Sequence, residues 1–109
     1  MLAAALVAQV AAAANVNLVE TTWTTDNPDC AVKRIKFFDF NRAVAYADKI
    51  GSDSATWKYD EPELHIAFDN WIADIDGQIL GGNEFQATYA WREEETLKRH
   101  SVQCTYRPQ

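Results

Sequence analysis

No hydrophobic run in this 109-residue sequence reaches the roughly 20 apolar residues that cross a bilayer, so no membrane-spanning helix is expected. Basic residues are in the minority: 10 Lys and Arg stand against 16 Asp and Glu, a net charge of −6. Without a basic surplus there is no electrostatic footprint for phosphate backbones, and neither nucleic acid nor an anionic membrane surface is an expected partner. Cysteine is scarce, and Cys30 and Cys104 form no C-x-x-C and have no histidine at ligand spacing. That argues against a zinc centre or a redox dithiol. There is no G-x-S-x-G and no cysteine beside a histidine, so no nucleophile motif presents itself. Neither a metal nor a cofactor is expected. Internal linkers are also missing, which leaves room for one domain and one core. With 48% hydrophobic residues, wholesale disorder is excluded.

The first fourteen residues differ from everything that follows. Residues 1–14 read MLAAALVAQVAAAA, with no charged side chain, no Gly and no Pro. They end in Ala12-Ala13-Ala14, a small-x-small pattern of the kind signal peptidase accepts. The composition breaks at Asn15, which marks residues 1–14 as a signal peptide and 15–109 as the mature domain. No Lys or Arg precedes the apolar run and Gln9 interrupts it, so the alternative is a retained Ala-rich leader helix.

The cysteines fit export. In a small exported protein an even pair reads as one disulfide, here between Cys30 and Cys104, 74 positions apart. Closing so long a loop is worth up to about 4 kcal/mol by chain entropy alone. The alternative, two buried thiols in a cytosolic protein, gains if the leader reading fails.

From residue 16 onward, alternation punctuated by turn formers predicts about eight short strands. Residues 16–25 form a candidate strand by their Val, Thr and Trp content, broken by Asp26-Asn27-Pro28-Asp29. A second apolar stretch covers 32–38, and Asp39-Phe40-Asn41-Arg42 turns into 43–47. Residues 41–50 suit a short helix capped by Asn41, or a strand. The strand is preferred because its neighbours on both sides are strands. Ala55, Trp57 and Tyr59 share one face, Asp60-Glu61-Pro62 turns, and Leu64, Ile66 and Phe68 alternate with polar residues. Trp71, Ala73 and Ile75 alternate up to Asp76-Gly77, a strong two-residue hairpin signal. Gly81-Gly82-Asn83 is a bulge or a further turn. Phe85, Ala87, Tyr89 and Trp91 share a face, Glu93-Glu94-Glu95 is a solvated turn, and 96–106 closes the chain. The fold expected is all-β: an antiparallel up-and-down barrel, or a barrel-like sandwich, with no long helix after the leader.

The rhythm F-x-F-N-R, T-W-K-Y-D, L-H-I-A-F and I-D-G-Q-I-L-G-G, over residues 35–91, resembles small bacterial exported lipocalin-like (calycin-type) barrels. Thr21-Thr22-Trp23 falls where those families carry a G-x-W element on the first strand, without the glycine. The resemblance implies the barrel and assigns no ligand residue. It also exposes a conflict. In a simple meander Cys104 lies opposite the start of the first strand, whereas Cys30 lies beyond its far end. A disulfide brings Cα atoms within about 7 Å. Either the last segment curls back or the strand limits differ.

Few residues offer chemistry. His65, by alternation, and His100, among Lys98, Arg99 and Ser101, read as surface histidines. Asp74-Ile75-Asp76-Gly77 resembles the opening of a calcium loop whose remaining ligands are missing, and reads better as a turn. The carboxylate clusters at 60–63 and 93–95 lie in turns, where they are solvated rather than tuned for acid–base work. The aromatics are the informative residues. Trp57, Trp71 and Trp91 each fall on the apolar face of an alternating strand, and serve as core or as the lining of a barrel mouth. With Tyr59 and Tyr89 they form the candidate ligand site.

The expectation is therefore a periplasmic or secreted binding protein without enzymatic activity. It takes a small apolar ligand in a Trp/Tyr-lined interior, or a protein partner. The alternatives are a secreted hydrolase inhibitor using its acidic loops, a structural envelope protein and, less favoured, a small barrel enzyme.

Overall fold

A computed structural model describes residues 17–109. The signal-peptide and leader-helix readings of residues 1–14 lie outside the described residues. Eight antiparallel strands follow: β1 (Thr22–Thr24), β2 (Val32–Phe38), β3 (Arg42–Ala47), β4 (Gly51–Asp60), β5 (Glu63–Phe68), β6 (Ala73–Leu80), β7 (Glu84–Arg92) and β8 (Arg99–Pro108). Each pairs with its sequence neighbours, and β1 pairs with β8 to close an up-and-down barrel. The barrel, rather than the sandwich, is thus the architecture. Closure removes the free edges that an all-β chain of this size would otherwise expose.

Alternation sorts the side chains. Ile35 and Phe37, Leu64 and Ile66, Ile75 and Ile79, Phe85 and Ala87, and Cys104 and Tyr106 face inward and pack as one buried cluster. Residues 42–47 form β3, because Ala43, Ala45 and Ala47 alternate as buried positions against Phe37, Ile35 and Val32. Alanine's helix propensity is a weak prior, and packing overrides it here. The small methyl groups also leave room for the rings opposite them.

The two ends of the barrel differ. The turn end carries the connections 39–41, 61–62 and 81–83. The loop end carries 25–31, 48–50, 69–72 and 93–98. At the turn end, the stretch before β1 pairs with β2: Glu20 N–H donates to Phe37 O, and Phe37 N–H donates to Thr21 O. This stretch buries Leu18, and the Thr21 hydroxyl accepts from the Trp23 indole at 3.0 Å.

Four strand assignments need correction: the closing strand β8 spans Arg99–Pro108, not 96–106. β1 spans only Thr22–Thr24, not 16–25. Trp71 lies in the 69–72 connection, not on a strand. Asp76-Gly77 is the middle of β6, not a hairpin, and the β6–β7 turn is 81–83. Gly77 is glycine for another reason: a Cβ there would collide with the Gln86 carbonyl oxygen and lie 2.7 Å from Ala87 Cα. It permits a close approach of β7, which a sequence cannot distinguish from a turn signal. The true turn uses the φ values of +61° and +78° at Gly81 and Gly82, which glycine adopts without strain.

The disulfide is present, with Cα atoms 6.1 Å apart. The conflict over register dissolves because β8 runs on to Pro108. Its last residues pair with β1, Thr24 opposite Arg107, so Cys104 lies beyond the far end of the short β1. The 25–31 connection continues alongside β8, where the Asn27 side-chain amide donates to Gln103 O, and it turns Cys30 back onto Cys104.

Candidate functional site

The five aromatic residues singled out from sequence divide between the two ends. Trp57 and Tyr59 lie in the part of β4 that leads to the turn end. The Trp57 indole N–H donates to Arg42 O at 2.9 Å and Phe38 O at 3.3 Å, and its ring meets Phe37 edge-on at 5.6 Å. It ties the 39–41 turn to β4. Tyr59 is half-buried, and burial, with the nearby Glu61 charge, raises its phenol above the ordinary value.

Trp71, Tyr89 and Trp91 meet at the loop end. They belong to one run of rings: Trp71 lies 5.1 Å from Phe68, Phe68 6.5 Å from Tyr89, and Tyr89 5.2 Å from Trp91. His100 extends the run, stacked on Trp91 at 5.3 Å. Tyr89 is buried, and burial raises its phenol. The other four rings are half-exposed. His100 thus differs from the plain surface histidine expected. Its Nε2 lies 3.5 Å from Glu93 Oε1. Thr96 and His100 together hold the Glu93 carboxyl below its usual range.

The sequence reading overlooked the residue that builds this end. Asp53, only 5% exposed, faces inward from the start of β4. Its carboxylate accepts from Asn70 N–H at 2.9 Å, the Asn70 side-chain amide at 2.8 Å and Trp71 N–H at 2.9 Å. Burial opposes ionisation, but these donors outweigh it and hold Asp53 below the ordinary carboxylate range. One buried anion therefore fixes the loop that carries Trp71. Parity would have placed it, since Asp53 shares the face of Ala55 and Trp57. His100 likewise shares the parity of Cys104.

Apolar side chains crown the same end. Ile50, Ile72 and Leu97, from three of its four connections, are 60%, 47% and 59% exposed. Leu97 also holds a φ of +58°, a conformation costly for a bulky side chain.

His65 lies apart, on the outer wall. Its Nδ1 is 2.5 Å from Asp76 Oδ1, and its Nε2 is 3.6 Å from Glu63 Oε1, all three side chains about half exposed. Among the described residues, no group of three or more His, Cys, Asp or Glu is arranged to hold a metal, and no helix is long and apolar enough to cross a membrane. The fold and site define a disulfide-closed, eight-stranded antiparallel barrel with a partly open aromatic end. Compared with known proteins, the chain matches no family model, no curated protein and no solved structure.

Proposed function

We propose that this chain is an exported, non-enzymatic binding domain, of lipocalin-like descent, that engages a protein partner through its loop end. The observation that carries the reading is the contrast between a barrel interior packed with side chains and a loop end where four half-exposed rings cluster with the exposed Ile50, Ile72 and Leu97, while the turn end exposes Phe40 and Leu80. Half-buried aromatics ringed by exposed Ile and Leu are the composition of an interface core. Acidic residues of the same connections, Asp48 and Glu93 to Glu95 among them, suit a basic partner surface, as a secreted hydrolase inhibitor would. The disulfide fits an oxidising compartment. The eight-strand meander is compatible with the lipocalin-like resemblance.

A second reading keeps a small apolar ligand but moves it from the interior to the mouth, stacked on the run from Trp71 to His100. Photo-crosslinking in the native source separates the two. A benzoylphenylalanine placed at position 72 or 97 is expected to give a discrete protein adduct, and one at position 58 none. Equal adducts at all three positions, or a retained small molecule in the native mass without any adduct, would overturn the protein-partner reading.

A further inference from the structure

The net charge conceals a division of the barrel into two walls. β8, β1, β2 and β3 are contiguous, because β8 pairs with β1. These four strands hold Lys33, Arg34, Lys36, Arg42, Arg99 and Arg107, six of the ten basic residues, and none of the sixteen acidic ones. β4 to β7 carry Asp53, Asp60, Glu63, Asp74, Asp76 and Glu84 against two basic residues, Lys58 and Arg92. A local excess of one sign is felt by a partner within the roughly 8 Å over which physiological salt screens charge. It acts on a partner whatever the protein's total charge.

Not all six charges are free. Arg42 pairs with Asp69, Arg107 with Glu84 at 2.8 Å, and Arg99 approaches Asp74 at 4.0 Å. Among the described residues, the three basic residues of β2 have no carboxylate partner. Lys33 donates to the Asn27 carbonyl at 2.7 Å, Arg34 lies over the Tyr46 ring at 4.3 Å, and Lys36 over Phe38 at 5.3 Å. The register shift between Val32 and Arg34 makes Lys33 an extra residue on its strand. Such a bulge re-aims a side chain, so that Lys33 and Arg34, though consecutive, line one outer groove. That groove, about 380 Å³, is also lined by Thr24, Thr25 and Tyr46. It adjoins, through Thr24 and Thr25, a second one of about 180 Å³ lined by Thr105 and Arg107. Together they form a trough across β8, β1, β2 and β3 with cations and hydroxyls along its walls. Asp48 lines the first groove and Asp26 the second.

We propose that this wall is a second binding surface, independent of the loop end, that receives a short acidic segment of a protein in extended conformation. Two features select that occupant. Arg34 lines the first groove, and Lys36 stands beside it on the same face of β2, two residues or about 7 Å further along the strand, so an extended peptide that leaves the groove along β2 meets both with alternate side chains. Asp26 and Asp48 repel a chain with a charge at every unit, such as a nucleic acid or a sulfated polysaccharide. A peptide can set uncharged residues opposite them. Arg34, flattened on Tyr46, offers a carboxylate its two-pronged edge, and the threonine hydroxyls are within the same trough for peptide amides.

The test is fluorescence anisotropy of the full chain with a labelled octapeptide of alternating aspartate and serine. Binding is expected at low salt, weakening as salt rises. Arg34→Glu with Lys36→Glu should weaken it about tenfold or more, because two exposed ion pairs become two repulsions. Lys58→Glu, on the acidic wall, should leave it within about twofold, the range of a screened distant charge. Arg34→Gln with Lys36→Gln, whose thermal unfolding is compared with the parent, repeats the measurement without introduced acids and should give a smaller loss. Absence of peptide binding at low salt would overturn the proposal, as would equal losses from Lys58→Glu. So would heparin binding without peptide binding, and so would salt-sensitive self-association abolished by the same charge reversal, since each assigns the wall to another occupant.

Discussion

The two ends of the barrel use the same aromatic chemistry for opposite purposes. Towards the turn end, Trp23, Phe37 and Phe85 are at most 2% exposed, and Trp57 has its N–H satisfied by two backbone carbonyls. These rings seal the barrel and hold its turns, while Phe40 in the 39–41 turn stays 92% exposed. At the loop end Phe68, Trp71, Trp91 and His100 are half-exposed, and the groups that fix them lie beneath: Asp53 under the loop of Trp71, and Tyr89 under Trp91. A buried ring gains from excluding water on all sides, whereas a half-exposed one leaves part of that gain unrealised until something covers it. The difference lies in clustering: four half-exposed rings and three exposed aliphatic tips gather at the loop end, which makes it the end more open to a partner.

Trading tryptophan for alanine at each end tests the comparison most severely. Trp23→Ala removes a fully buried ring and leaves a cavity, so unfolding free energy should fall by about 3–5 kcal/mol in urea denaturation. Trp91→Ala removes a ring already half in water and should cost about 1–2 kcal/mol. Equal losses would make the loop end as much a sealed core as the turn end.

The disulfide asks whether the loop end is held by covalent or by packing forces. Cys30→Ala with Cys104→Ala should lower stability by about 2–4 kcal/mol, because the unfolded chain regains the freedom of a long loop. The 25–31 connection should become susceptible to proteolysis while β4 to β7 remain protected, which limited digestion and mass measurement would show. Intact protection of that connection would mean that its packing and the Asn27 hydrogen bond to β8 suffice without the bond.

Asp53 sharpens the comparison through pH. Its folded pKa lies below the ordinary value of about 3.9. The stability it contributes is therefore complete above the unfolded value and is lost as pH falls through the folded one. Asp53→Asn should cost about 1–3 kcal/mol at neutral pH, since the neutral amide cannot satisfy the three donors. It should also flatten the acid limb of the stability profile below about pH 4. Trp71 fluorescence should shift as the 69–72 loop loosens, and an unchanged spectrum would separate Asp53 from the site.

Much of this architecture was legible in the sequence because alternation is local. Leu64, Ile66 and Phe68, and likewise Phe85 to Trp91, announce their faces without help from the rest of the chain. What escaped was nonlocal. Gly77 is glycine because another strand's backbone passes close, and Trp71 left its supposed strand because an aspartate eighteen residues earlier holds its N–H. The disulfide conflict came from placing the β1–β8 register a few residues out. The segregation of charge is a property of barrel closure: residues 99–108 and 22–47 become neighbours only when β8 pairs with β1. A net charge of −6 argued against anionic partners, although the four strands of one wall carry no acidic residue.

The smallest effect expected concerns the hairpin of the open end. Leu97 is exposed and holds a φ of +58° in the hairpin between β7 and β8, where asparagine or glycine is the ordinary occupant. Its backbone is anchored, with Leu97 N–H donating to Glu93 O at 2.8 Å and its carbonyl accepting from Arg92 at 3.3 Å. The turn therefore keeps its shape without the leucine side chain. Leu97→Asn should relieve the strain and raise stability by up to about 1 kcal/mol, a rise in melting temperature of several degrees at this size. Phe40, at the turn end, shares the positive φ and the exposure, so the test asks whether at Leu97 such strain is kept because the side chain serves a contact. The same substitution should then weaken partner engagement, read as a reduced yield of the position-72 adduct. A stabilised variant that crosslinks from position 72 as well as the parent would show that the leucine is incidental, and would leave Trp71, Ile72 and Trp91 to define the open end.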